Sequence, residues 1–132
     1  MTSSVFPIQS GEDVVRVRQI VRTATVQAGF SLVDQTKFVT AASELARNTL
    51  QHGGGGRVSV ESLVKEGRKG VRLVFEDEGP GIADLDRALQ DGYTTGGGLG
   101  LGLSGARRLS SEFAIESAVG KGTRVVIARW GR

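Results

Sequence analysis

The sequence predicts an α+β two-layer sandwich, with helices packed on one face of a mixed, mostly antiparallel sheet. Three observations carry this expectation. Two helical stretches, each preceded by a capping signal, follow one another between Ser10 and Gln51. Two strand-like stretches then flank a turn around Gly67, and two more close the chain across Val119-Gly120-Lys121-Gly122. Helices and strands therefore come in blocks and not in repeated βαβ units, which favours one helical layer on a sheet.

Taken in order, residues 5–8 are short and β-prone, an edge strand. Ser10 with Asp13 three residues later has capping-box spacing. Val14, Val15, Val17, Ile20, Val21 and Ala24 then follow helical spacing to about Ala28, and Gly29 is a helix stop. Ser31 and Asp34 form a second start signal. The second helix spans about 32–51 and is ended by Gly53-Gly54-Gly55-Gly56. Residues 57–65 and 70–77 read as paired strands. In the second of these, Val71, Leu73, Phe75 and Asp77 share a face because side chains alternate, so Asp77 is expected to be partly buried. Residues 84–90 form a short helix and residues 103–111 another. Residues 113–118 and 123–130 make the closing hairpin. No repeat or linker interrupts the chain, and 1–132 reads as one domain with enough chain for a core.

Composition narrows the function classes. The chain has no cysteine, which excludes disulfides, thiolate metal sites and cysteine nucleophiles. No apolar run approaches the ~20 residues of a membrane span, and the first residues lack the pattern of a signal peptide. The expected location is cytoplasmic, with no membrane partner. The net charge is +3, but 17 basic residues are interspersed with 14 acidic ones. Arg18 and Arg22 on one helix face read as a solvated surface. With one tryptophan and one tyrosine, there is no stacking platform for single strands, and no nucleic-acid partner is expected.

The most unusual stretch runs from Gly92 to Gly105, with Gly96, Gly97, Gly98, Gly100 and Gly102 inside seven residues. Each glycine disfavours a helix by roughly 1 kcal/mol relative to alanine, and a strand built this way has little to pack. Bare N–H groups before a helix suit phosphate; a plain surface loop is the other reading. The spacing is not a Walker A loop, since no Gly-Lys-Ser/Thr follows, and the dinucleotide pattern fits only in loose registers.

On the second helix, Glu44, Asn48 and His52 are four apart and share a face. A solvent-exposed polar stripe is the ordinary explanation. The alternative is chemical: an Asn amide oxygen suits Mg²⁺ bridged to phosphates, and a Glu one turn away could take a proton from an attacking hydroxyl. Asp77 precedes Glu78-Gly79-Pro80-Gly81. It is either a strand-end Asp opening a turn or an acceptor for the exocyclic amine of adenine. Such a bond to a charged group is worth roughly 1.5–3 kcal/mol, and the same carboxylate would repel the carbonyl oxygen of guanine. Gly79 and Gly81 would let a flat ring lie against the backbone. Gly120-Lys121-Gly122-Thr123 reads first as a hairpin turn, with Thr123 able to offer a hydroxyl to a nucleotide. His52, the lone histidine, reads as a helix-end residue complementing the dipole, and with no cysteine and no second histidine a zinc site is not expected.

The order of these pieces resembles the GHKL ATPase superfamily, which carries the Bergerat ATP-binding fold: Glu44-x-x-x-Asn48, then Asp77-Glu78-Gly79-Pro80-Gly81, then Gly96-Gly97-Gly98-Leu99-Gly100-Leu101-Gly102, then Gly120-Lys121-Gly122-Thr123. Within it, Val33-Asp34-Gln35, Ser43-Glu44-Leu45-Ala46-Arg47-Asn48 and Asp91-Gly92-Tyr93-Thr94-Thr95 are similar to the switch serine/threonine kinases of the bacterial general stress response. The resemblance implies an ATP- and Mg²⁺-dependent protein kinase. Glu44 would be the general base and Asn48 would hold Mg²⁺. Asp77 would bind the adenine amine, with Gly79 and Gly81 making room for the base. Gly98, Gly100, Leu101 and Gly102 would belong to the ATP lid, and Thr123 would support the adenine side. It also implies that the acceptor serine lies on STAS-domain proteins of the stressosome, and that the kinase then leaves to activate a PPM-type phosphatase through its regulatory domain. The alternative is an anti-sigma factor that sequesters a sigma factor and phosphorylates an anti-anti-sigma STAS protein.

Overall fold

The computed structural model describes residues 2–90 and 102–131. Nine elements follow in the order β1 (Thr2–Ile8), α1 (Gly11–Gln27), α2 (Leu32–Gln51), β2 (Gly56–Lys65), β3 (Arg68–Asp77), α3 (Leu85–Ala88), α4 (Gly102–Arg108), β4 (Glu112–Ser117) and β5 (Thr123–Trp130). The five strands make one sheet in the order β1-β2-β3-β5-β4. Every pairing among them is antiparallel, so the expected sandwich forms without any parallel pair among the described strands. The reason lies in the connections. Two strand pairs close through short turns, and the longer path from β3 to β5 runs through α3, α4 and β4.

The helix starts are built as their sequences dictate. Ser10 Oγ accepts from the Asp13 amide at 3.3 Å while Asp13 Oδ2 accepts from the Gln9 amide at 2.8 Å. This reciprocal arrangement satisfies N–H groups that have no partner inside the helix. Ser31 Oγ caps α2 in the same way, from the Asp34 amide at 3.1 Å. The Asp34 carboxylate instead meets β5, where Arg129 Nη2 lies 2.9 Å from its Oδ1. Arg129 Nη1 donates to the Leu109 carbonyl at 2.8 Å, so one guanidinium joins α2, the segment after α4 and β5.

The core lies between the helices and the inner sheet face. Val58, Val71, Leu73, Phe75, Val125 and Ile127 point inward from β2, β3 and β5 against Val17, Val21, Phe38 and Leu45 of α1 and α2. Each such side chain contributes roughly 1.5–3 kcal/mol on burial. The opposite face carries ion pairs from Arg72 to Glu61 at 2.7 Å and from Arg124 to Glu116 at 3.5 Å. This inside-out alternation fixes the register, because a one-residue slip would bury the charges.

Boundaries shift where a cap or ladder intervenes. Strand β1 begins earlier than expected, because β2 is long enough to pair it out to Ser62. Helix α3 is shorter, with Asp84 as its N-cap and Leu89 as its C-cap. Helix α4 stops at Arg108 and not near Ser111, whose amide already donates to the Ala128 carbonyl at 2.9 Å.

Candidate active site

A cavity of about 280 Å³ opens at the end of the sheet where β3 finishes and β5 begins. This is at the small end of the range for ligand sites. Helix α2 supplies Leu45, Asn48, Thr49 and His52, strand β3 supplies Phe75 and Asp77, and strand β5 supplies Thr123 and Val125. Gly81 and Ile82 of the turn after β3, Arg87 and Ala88 of α3, and Leu103 of α4 complete most of the wall. The walls are thus apolar in larger part, with polar side chains from α2, β3, β5 and the α3 segment among them.

Asp77 is the last residue of β3 and is half-buried, as alternation requires. Its Oδ1 accepts from the Gly79 amide at 2.9 Å. This is the turn-opening contact of the ordinary reading, yet the same side chain also lines the cavity. The turn contact and the place in the cavity wall thus belong to one side chain. Its place is kept by Gly53, where an added Cβ would stand 2.3 Å from the Asp77 Cγ.

The glycines of the turn act mainly on the protein itself. A Cβ on Gly79 would meet Gly53 Cα at 2.7 Å, and one on Gly81 would meet the Ala118 carbonyl oxygen at 2.1 Å. Their missing side chains let three backbone segments close on each other, and Gly81 also takes φ +77°, a left-handed value that favours glycine. Gly81 lines the cavity, whereas Gly79 sits behind it against Gly53.

Of the two readings of the α2 stripe, the solvent-exposed one does not hold. Glu44 is buried, and Asn48 and His52 are half-buried, the latter two facing the cavity shared with the sheet end and α4. Glu44 Oε1 lies 3.1 Å from Arg47 Nη1, and Glu44 is outside the set of described residues lining the cavity. His52 stands at the C-cap of α2, the helix-end position expected of it. Its Nε2 also lies 3.3 Å from the Gly81 carbonyl oxygen. A carbonyl only accepts, so this bond needs a proton on Nε2.

Thr123 lines the cavity and contacts Ser117, the two hydroxyl oxygens being 2.8 Å apart. Ser117 escaped the sequence reading, since a serine before a Gly-rich turn is an ordinary turn residue. The hairpin turn it precedes is nevertheless part of the site: Gly120 N donates to the Pro80 carbonyl at 2.8 Å, and Ile82 N donates to Ser117 Oγ at 2.8 Å. Of the glycine stretch, Gly98, Gly100 and Leu101 lie outside the described residues, and Gly102 opens α4.

Residues 33–130 match the family of histidine kinase-, DNA gyrase B- and HSP90-like ATPases. The chain belongs to this family. Among its ATPase relatives, the serine/threonine-protein kinase RsbT of Bacillus subtilis (strain 168) is 42% identical over 129 residues, covering 98% of this chain and 97% of that protein. The anti-sigma F factor of Geobacillus kaustophilus is 31% identical over 119 residues, covering 85% and 80% respectively. That of Geobacillus stearothermophilus is 34% identical over 101 residues, covering 71% and 68%. These relatives place the chain among the serine/threonine-protein kinases of the ATPase family.

The cavity fits what this ATPase family binds. It offers a carboxylate acceptor at one end and apolar walls on which a base can lie. Asn48 contributes one neutral amide oxygen, and the described residues contain no group of three or more His, Asp or Glu side chains able to hold a metal ion. A divalent cation held here would take most of its oxygens from phosphates and water, the usual habit of Mg²⁺. No helix among the described residues is long and apolar enough to cross a membrane.

Proposed function

We propose that the chain is an ATP- and Mg²⁺-dependent protein-serine/threonine kinase acting on STAS-domain proteins in a cytoplasmic stress pathway. The observation that carries the reading is the convergence of Asn48 and Asp77 on one cavity, from a helix and a strand that the sequence separates. In this reading Asp77 accepts from the adenine amine and Thr123 supports the same edge. Asn48 holds Mg²⁺ against the phosphates, and Gly98, Gly100, Leu101 and Gly102 serve the phosphate side. Glu44, one turn from Asn48 on α2, takes the proton from the acceptor serine hydroxyl as that oxygen bonds to the γ-phosphorus and ADP departs. Phosphoryl transfer asks mainly for positioning and charge neutralisation, and the chain's own residues supply the positioning.

The similarity to RsbT supports the finer assignment: an acceptor serine on STAS proteins of the stressosome, and later release to a PPM-type phosphatase. Incubation with γ-labelled ATP, Mg²⁺ and a STAS-domain protein from the same genome tests it, with Glu44→Ala alongside. Label on the STAS protein that disappears in the variant supports the reading. Absence of label despite ATP binding rejects it.

The anti-sigma F relatives favour one second reading, an anti-sigma factor that holds a sigma factor and phosphorylates its STAS antagonist. A pull-down that retains a sigma factor and no stressosome component would select it.

A further inference from the structure

Ser117 does not line the cavity, yet it stands at the centre of three hydrogen bonds behind it. Its Oγ is 3.0 Å from the Gly122 carbonyl oxygen, 2.8 Å from the Ile82 amide nitrogen and 2.8 Å from Thr123 Oγ1. A serine hydroxyl has one proton and two lone pairs. The carbonyl can only accept, so it takes the serine proton. The amide can only donate, so it takes one lone pair. The remaining contact is satisfied only if Thr123 gives its own proton to Ser117. Any other assignment leaves one of the three contacts without a hydrogen.

This fixes the polarity of the cavity wall. Thr123, with its proton turned away, presents lone pairs to the cavity. Asp77, its cross-strand partner, is an acceptor as well when ionised. These two cross-strand side chains therefore both ask for donors. An exocyclic amine satisfies such a wall directly or through water, and a carbonyl oxygen placed there meets lone pairs.

We infer that Ser117, by holding the Thr123 hydroxyl as an acceptor, is a specificity-determining positioning residue for a purine with an amino group at C6 over one with a carbonyl there. This rests on the adenine reading of the cavity. In Ser117→Ala the Thr123 proton is released and can turn toward the cavity, where it can donate to a carbonyl.

The test is binding of ATP and of inosine triphosphate, each with Mg²⁺, measured by calorimetry. The readout is the ratio of the two dissociation constants. Ser117→Ala is expected to shrink the wild-type preference for ATP on the order of fivefold, the weight of one neutral hydrogen bond. Ser117→Thr, which keeps a hydroxyl, is expected to retain it. Thr123→Val leaves Ser117 and its Ile82 contact in place, so it serves even if Ser117→Ala does not fold, and it is expected to shrink the ratio similarly. Combining Ser117→Ala with Thr123→Val should add nothing further if both act through one hydroxyl. A purely structural role for Ser117 would weaken both nucleotides equally, and an unchanged ratio in Ser117→Ala, or in Thr123→Val, overturns the inference. A wild-type protein with no preference for ATP over inosine triphosphate would instead sink the adenine reading itself.

Discussion

Asp77 and Thr123 are cross-strand partners at the end of the β3–β5 pair, and both side chains line the cavity. The antiparallel register brings together two residues far apart in the chain, and the shared face turns both toward the helices. A ligand lying at this end meets the carboxylate and the hydroxyl side by side.

Asp77→Asn is the direct test of that edge. Asparagine keeps an oxygen for the Gly79 amide, so the turn should survive. It replaces a charged acceptor by a neutral amide, and removing a bond to a charged group is worth roughly 1.5–3 kcal/mol. ATP affinity should fall about ten- to a hundredfold by calorimetry, with little change in melting temperature. Unchanged affinity would remove Asp77 from the adenine edge.

Gly53→Ala should reach the same site from behind. Its new methyl would fall 2.3 Å from the Asp77 Cγ and 2.5 Å from Oδ2, so the carboxylate must move. Overpacking of this kind costs about 1–3 kcal/mol. The expected result is weaker ATP binding together with a lowered melting temperature. An alanine variant that binds ATP normally would mean that the carboxylate position is not critical.

Glu44→Ala separates chemistry from binding. Glu44 stands outside the described cavity wall, so nucleotide affinity should hold while phosphoryl transfer falls to background. Its partner Arg47 keeps 31% of its side chain in solvent, which limits the cost of losing the pair. Full transfer by the variant would rule Glu44 out as the base. Asn48→Ala, measured alongside, should lose the enhancement of ATP binding by Mg²⁺. A persisting enhancement would assign the cation to other ligands.

The outer sheet face gives a prediction with a pH sign. The hydrogen bond from Arg72, opposed by partial burial and aided by the arginine charge, holds the Glu61 carboxyl below its ordinary value of 4.5. A folded-state value below the unfolded one means that the pair contributes stability above about pH 4.5, and that this is lost as pH falls through the folded value. Arg72 is 42% exposed, so screening keeps the contribution within about 1 kcal/mol. Glu61→Gln should therefore be slightly less stable than wild type at pH 7 in urea, with the difference closing in acid. An equal gap at pH 3 would contradict it.

Much of this architecture could be read from residue order. The caps at Ser10 and Ser31 and the alternation through Val71, Leu73, Phe75 and Asp77 are local signals, and local geometry honours them. What stayed hidden was long-range. The burial of Glu44 depends on how α2 packs within the fold, which helical spacing alone cannot report. The part played by Ser117 depends on two turns meeting, 35 residues apart at the Ile82 contact. Glycines 79 and 81 were conspicuous, but sequence could not say that protein backbone would occupy the space beside them.

The β3–β5 pairing also sets a schedule for the chain during synthesis. Asp77 leaves the ribosome well before Thr123 and Val125 exist, and β3 sits in the middle of the finished sheet with one flank waiting for β5. Pairings across such separations are slow to form. A nascent chain that stops short of residue 123 holds α2, β2 and β3 but lacks the two wall residues that β5 supplies, Thr123 and Val125. The cavity thus takes its final shape only once β5 is made, and the β4–β5 hairpin is the element that sets Thr123 beside Asp77.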